Sequence, residues 1–509
     1  MIENGSVTQH DVARGAGAAL VARLGAVFEL ISQPLYVWMF GLAGFGVYAV
    51  MWAAINLVEN IADLGATSAL QRVVPQEHSR SGQCKALLAA MVIGVLPNLL
   101  LAVIGYVGAP YLASYMNVAA NDRDMLVGGI RLFVWALPLW AFIEVATSAL
   151  RAQQVFGPEV RLRIFWEQII RFAFAFGFWL IGYGVEGLLY GHLASLLATS
   201  LLSIRLLVRY YDFRADDEAK DEIGHWRRRF RSVLLAGLGT LPANIAARIY
   251  GDAPPVVANL LVPGAGGAAA AAIYTIARKV SSVVQLIRIA LSYVVTPLVS
   301  KAAGQRDHAA IEAIYGFSTR LSIVIALPLT ASMMVGGPAI LDMFGPGALA
   351  GWSLLAILTF ARAVEAFAGQ AAAVQQVISS YHHPLFASLG GMVFAVLVGL
   401  LVLPLSAMNA IAAGVAAGMI AAALISMYQV NLHEGLHPFG APFGKVLRKS
   451  LAVTALVAIL SGLALLAPPF VRLGLLVPIL FGGIWLGLRV ALPKGDKAAF
   501  GRLSARLRL

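Results

Sequence analysis

Charge is scarce in this chain. Of its 509 residues only 12% are Asp, Glu, Lys or Arg, while 60% are hydrophobic. An ordinary soluble domain carries about twice that charged share, so a water-soluble fold is excluded. Short segments of alternating polarity are lacking as well, which excludes an outer-membrane β-barrel. There is one cysteine, Cys84, expected in a short basic loop, so no internal disulfide can form. The opening residues MIENGSVTQHDVARG have no basic stretch followed at once by an apolar core, which predicts a short polar tail rather than a cleaved signal. No P-loop, no interpretable Ser-His-Asp set and no soluble catalytic domain can be found. The chain therefore reads as a non-enzyme without a cofactor or a bound metal.

What is present is a succession of long apolar runs, with 50 glycines and abundant alanine to let helices approach closely in lipid. They predict an all-α polytopic membrane protein with about fourteen transmembrane helices. The expected spans are 18–40, 45–69, 86–107, 125–148, 164–182, 185–208, 232–262, 267–299, 309–336, 348–379, 384–404, 407–430, 450–467 and 472–491. The net charge of +12 is topology rather than a nucleic-acid signal. Lys and Arg fall in alternate loops, from Arg72, Arg80 and Lys85 through Arg227–Arg231 to Lys445, Arg448 and Lys449, whereas the other loops hold little beyond Arg123 and Arg472. By the positive-inside rule both termini are expected in the cytoplasm, and in a bacterium the membrane is the inner one.

The stretch 41–77, GLAGFGVYAVMWAAINLVENIADLGATSALQRVVPQE, organises the rest. A Gly-rich turn enters an apolar helix that carries Glu59, Asn60 and Asp63 and closes at Arg72. GGAAAAAIYTIARKVSSVV, entering the span at 267–299, echoes it, with one early tyrosine in each, Tyr48 and Tyr274. The echo predicts two six-helix lobes and a substrate site between them. The expected divisions are a tail at 1–17, an N-lobe at 18–208, a linker at 209–231, a C-lobe at 232–430, a loop at 431–449, two further helices at 450–491, and a basic tail at 492–509.

Ionisable residues inside spans are costly, so each needs a reason. Glu59 and Asp63 are four apart and share a face. Glu167 and Arg171 are spaced i,i+4 in the favourable order for an ion pair. Arg362 and Glu365 can also pair, and Arg288 and Arg320 can snorkel toward an interface. Arg23, Arg248 and Arg278 are harder to absorb. Arg278 lies about 15 Å from the outer end of its helix and has no acidic neighbour one turn away. These three are candidates for lining a cationic cavity, and the planar donor fork of Arg suits phosphate. Glu29, Glu59 and Asp63 are candidates for proton or sodium coupling.

Residues 433–437 spell His-Glu-Gly-Leu-His, a literal H-E-x-x-H. A metalloprotease needs that motif on a helix, with both histidines on one face. Gly435 within it and Pro438 after it predict a loop and a chance match. The paired His382 and His383 likewise read as loop residues.

Two segments carry a resemblance. GFGVYAVMWAAINLVENIADLGATSALQR, with Gly41, Gly44, Phe45, Gly46 and Tyr48 followed by Asp63, Leu64 and Gly65, resembles the second-helix region of polysaccharide transporters. AAIYTIARKVSSVVQLIRIALSYVVTPLVSKAAGQRD, closing on Pro297 and Ser300, resembles the eighth helix of the same group. The chain is similar to O-antigen and exopolysaccharide flippases of the multidrug/oligosaccharidyl-lipid/polysaccharide (MOP) exporter superfamily. The resemblance implies alternating-access translocation of a polyprenyl-diphosphate-linked oligosaccharide for lipopolysaccharide or exopolysaccharide biosynthesis, with a polysaccharide polymerase as a candidate partner. It places Arg23 and Arg278 in a cationic cavity. Related lipid II flippases also have a second-helix arginine, where this chain has Glu59 and Asp63. The alternatives are a cation-coupled multidrug antiporter of the same superfamily and a membrane-embedded enzyme.

Overall fold

The computed structural model describes residues 24–500 and 504, apart from 78, 120–122, 154, 156, 158–160, 214–221, 369 and 381. Every regular element among them is helical. Eleven helices are long and apolar enough to cross a membrane, or twelve if one bent pair counts as a span. The difference from fourteen arises at two places. The spans expected at 18–40 and 45–69 meet within α1, Leu24–Ala62, as two helices joined at a kink, where Gly41 is non-helical with φ 74° and ψ 161°. The span expected at 164–182 is a π-helical turn, Arg161–Trp166, continued without a break by the fourteen-residue α7, Glu167–Leu180.

Two compact units divide within the long helix α10, Gly266–Gly304, and cover residues 25–275 and 276–509. In the first unit, α1 ends at Ala62 and the chain turns through Leu64 and Gly65 into the short α2, Ala66–Val73. Around α2 stand α3, Arg80–Val107, and α6, Ala136–Ala152, together with α9, Glu222–Leu261. Ala66, Ala69, Ala86, Ala89, Ala90, Ala146 and Ala149 are buried almost completely at these contacts, as expected where packing and not water drives helix association. The unit is completed by α4, Ala109–Tyr115, α5, Arg123–Phe133, and α8, Val185–Tyr210.

Cys84 is not in a loop: it lies in the second turn of α3, buried, and its Sγ donates to the Asp212 carbonyl at 3.2 Å. The span expected at 45–69 is broken, because Leu64 (φ 52°) and Gly65 (φ 74°) leave the helical region.

α9 is fastened to the rest of the first unit along its length. Arg229 reaches Glu77 through Nε at 3.2 Å and Nη2 at 3.3 Å. Asn244 donates to the Ser68 hydroxyl at 2.8 Å. Asn259, fully buried, accepts from the Asn117 amide at 3.0 Å and donates to its carbonyl at 2.9 Å.

In the second unit α11, His308–Val335, is the central helix, packed by α13, Trp352–Ala368, and by α17, Phe443–Ala464, and α18, Pro469–Val490. Between α11 and α13 lies the short α12, Gly337–Asp342. The span expected at 348–379 is interrupted after Ala368 and resumes as α14, Ala371–Ile378. α15, His382–Val402, and α16, Ala407–Glu434, form a hairpin. Only 11% of the most apolar stretch of α15 is buried.

The H-E-x-x-H string does not run along one helix. α16 stops at Glu434, and Gly435 caps it in the left-handed region. His437 therefore leaves the helix face. Glu434 accepts from the Ser379 hydroxyl at 3.0 Å, and His433 stacks on His383 at 4.3 Å. No group of three potential ligands occurs among the described residues. His382 and His383 begin α15 instead of sitting in a loop. Arg320 does not snorkel. Its Nε and Nη2 meet Asp496 at 2.7 and 2.8 Å, both partners being buried, and this ties the short α19, Lys494–Ala498, to α11.

Candidate functional site

The Asp63-Leu64-Gly65 sequence builds the first part of the site. Asp63 accepts from the Thr67 backbone N–H at 3.3 Å and from its hydroxyl at 2.8 Å. This caps the opening turn of α2. Gly65 is required twice over: its φ is left-handed, and a Cβ there would lie 2.2 Å from the Gly237 carbonyl oxygen. The close approach sets α9 against the α1–α2 turn.

α9 bends by 53° between its segments Trp226–Ala246 and Arg248–Leu261. Pro242, Pro254 and Pro255 lie within it, the residue type that accounts for most sharp kinks. Arg248 starts the second segment and is exposed. With the Asn60 amide oriented to suit its neighbours, Asn60 Oδ1 accepts from Arg248 Nε at 2.9 Å and Nη1 at 3.3 Å. A neutral amide thus positions the guanidinium without discharging it. Glu59, only 1% exposed, and Glu144 are within electrostatic reach of the same arginine.

Arg163, which the loop pattern assigns to the aqueous side, turns inward from the π-helical segment. It holds buried Glu144 through two bonds, Nη2 to Oε1 at 2.8 Å and Nη1 to Oε2 at 3.3 Å. Its guanidinium lies over the Trp140 ring at 4.7 Å. π-Helical turns are rare and gather at functional sites. Nothing in composition or periodicity marks this one.

A second polar layer surrounds His192, which is fully buried on α8. Its Nδ1 shares a 3.1 Å hydrogen bond with the Tyr48 hydroxyl, its ring lies 4.2 Å from Trp52, and its Nε2 has no partner among the described residues. Arg171 pairs with Glu167 one turn away, as their spacing predicts, and lies over Trp52 at 5.8 Å. Glu29 is within electrostatic reach of both. Glu29 therefore belongs to this layer, and Glu59, Asp63 and Arg248 belong to the one formed with Glu144 and Arg163.

In the second unit Arg278 is partly buried on α10. No hydrogen-bond partner meets its buried Nε, and no ion pair forms on it, among the described residues. Arg288, on the same helix, keeps an unpartnered Nε as well, while Gln370 accepts from Ser292 and donates to the Arg288 carbonyl. Arg362 and Glu365 pair at 2.7 Å. Arg23 lies outside the described residues.

The described residues form a helical bundle with eleven or twelve candidate membrane spans and with arginines and carboxylates gathered inside its helices, the architecture of a multi-pass membrane protein. A family model described as polysaccharide biosynthesis protein matches residues 39–346; the chain belongs to that family. Among solved structures it is similar to the lipid II flippase MurJ in an inward closed conformation, at 12% identity and TM-score 0.73, with 93% of this chain and 97% of that one covered. A multidrug resistance MATE family transporter of the MOP superfamily in an inward-facing conformation matches at 17% identity and TM-score 0.62, covering 85% and 96%. A MOP superfamily transporter from Pyrococcus furiosus, described as having a binding pocket of reverse polarity, matches at 17% identity and TM-score 0.61, covering 85% and 99%. At these identities the likeness is one of fold. The comparison with curated proteins by sequence returns no match.

Proposed function

We propose that this protein is a flippase that moves a polyprenyl-diphosphate-linked oligosaccharide across the inner membrane by alternating access, for lipopolysaccharide or exopolysaccharide synthesis. The observation that carries the reading is Arg248, a cation at the bend of α9 whose hydrogen-bond partner is the neutral amide of Asn60. An arginine so held keeps its charge and donors for an anionic group, and a diphosphate matches its fork. Arg278 in the second unit, with no ion pair among the described residues, is proposed as a further phosphate contact, and Arg23 as a third. The family match supports the polysaccharide pathway, in which a polymerase is the candidate partner. Both termini would lie in the cytoplasm.

The test is surface polysaccharide in a bacterium deprived of its own flippase. The wild-type gene restores it, and Arg248→Ala lowers it by roughly tenfold or more, the size expected for a lost charge-assisted bond. Arg248→Lys, which keeps charge without the fork, restores it in part. Full surface polymer from Arg248→Ala protein at wild-type abundance would overturn the reading. The alternative, a cation-coupled drug antiporter, is favoured by the carboxylates Glu59 and Glu144 beside Arg248. It predicts drug efflux from cells expressing the protein and no restoration of polymer.

A further inference from the structure

Basic side chains converge where α18 ends. The last carbonyls of a helix have no partner within it and carry partial negative charge. Two lysines from neighbouring elements meet them here. Lys449 of α17 donates to the Val490 carbonyl at 3.1 Å, and Lys497 of α19 donates to that of Arg489. An ammonium has three donors and no acceptor, so each lysine keeps donors to spare. Lys494 is exposed beside them, and Arg489 stands over the Trp485 ring at 5.1 Å.

No acid balances this cluster from α19 itself, because Asp496 is turned inward and spent on Arg320. Burial, and then Lys449, Arg489 and Lys494, push the Lys497 ammonium below the ordinary lysine range. The cluster is also held firmly, since Leu492, Asp496 and Ala499 around it are buried. On α18 the residues Phe481, Trp485 and Arg489 follow at i,i+4 intervals. Phe481 is 66% and Trp485 37% exposed. An apolar ring, an amphipathic ring and a cation in that order match acyl chain, interface and headgroup.

We propose that Lys449, Arg489, Lys494 and Lys497 form a binding site for the phosphate of an anionic phospholipid, in the leaflet against which this end of the second unit lies. The lipid's phosphate takes the spare lysine donors, and its acyl chain runs along the Phe481–Trp485 side of α18. Clusters of this kind beside membrane helices select anionic headgroups, with each Lys or Arg changing affinity roughly fivefold.

Native mass spectrometry of the detergent-purified full chain, titrated with phosphatidylglycerol and with phosphatidylcholine, tests this. The wild type should bind phosphatidylglycerol in preference. The triple variant Lys449→Ala, Lys494→Ala, Lys497→Ala should lose that preference by well over tenfold. Lys494→Ala alone touches no helix cap, so it should fold normally and lose about fivefold. No preference in the wild type, or one that survives both variants, would overturn the proposal. So would retention of an acidic peptide in place of phosphatidylglycerol. None of these readouts depends on polysaccharide transport.

Discussion

Asn60 and Glu144 show how single residues set the charge state of the first unit's interior. Asn60 holds Arg248 through a neutral amide, whereas Glu144 is hydrogen-bonded twice to Arg163. Removing one member of such a buried pair leaves an uncompensated charge, which costs about 3 kcal/mol. Glu144→Leu and Arg163→Met should each lower the melting temperature of the purified protein, and the double variant should recover most of the loss. Additive losses would show that the two act separately. Asp63 differs from Glu59 at this scale. Both carboxylate oxygens of Asp63 are engaged by Thr67 in capping α2, a structural role its position on a helix face did not reveal. Glu59 takes no part in that cap.

At the scale of elements, the turn between α1 and α2 and the bend of α9 depend on one close crossing. A Cβ on Gly237 would lie 2.4 Å from the Leu64 carbonyl oxygen, and one on Gly65 would meet Gly237 from the other side. Gly65→Ala should destabilise most, by roughly 1–2 kcal/mol for the left-handed conformation alone with the clash added. Gly237→Ala should destabilise through the clash only. Gly239→Ala, which meets nothing within 4 Å, should be neutral or slightly stabilising within a helix. Thermal unfolding in detergent checks this order, and equal effects at 237 and 239 would exclude the crossing. The D-L-G string was legible as an inner helix end. Its partner Gly237, 172 positions along, was not, because no periodicity links them.

For the whole molecule the open matter is what drives transport. We propose that Glu59 couples substrate movement to a proton. Glu59→Gln should preserve abundance and melting temperature yet make surface polymer insensitive to a protonophore. Asp63→Asn should instead lose about 1 kcal/mol of stability, the usual worth of a helix cap, with coupling intact in the folded fraction. Identical protonophore responses in wild type and Glu59→Gln would remove Glu59 from the role.

Composition and long apolar runs determined by themselves that this chain is a helical membrane protein, since in lipid every backbone group must be satisfied within a helix or a closed barrel. The Gly-rich entry at 41–48, the Asp63-Leu64-Gly65 end and the Glu167–Arg171 pair were readable too, because each rests on contacts a few residues apart. Tertiary structure alone decided which charges are spent. Arg163 goes to Glu144, Arg320 to Asp496 and Arg229 to Glu77 across 19, 176 and 152 positions. Such pairs form because low dielectric makes an unmatched charge costly, and the chain can supply the partner from any helix that packing brings near. It was packing that left Arg248 beside a neutral amide and Arg278 without an ion pair among the described residues. Sequence pattern can place a charge in a membrane helix, but only the folded neighbours decide whether it remains available to bind.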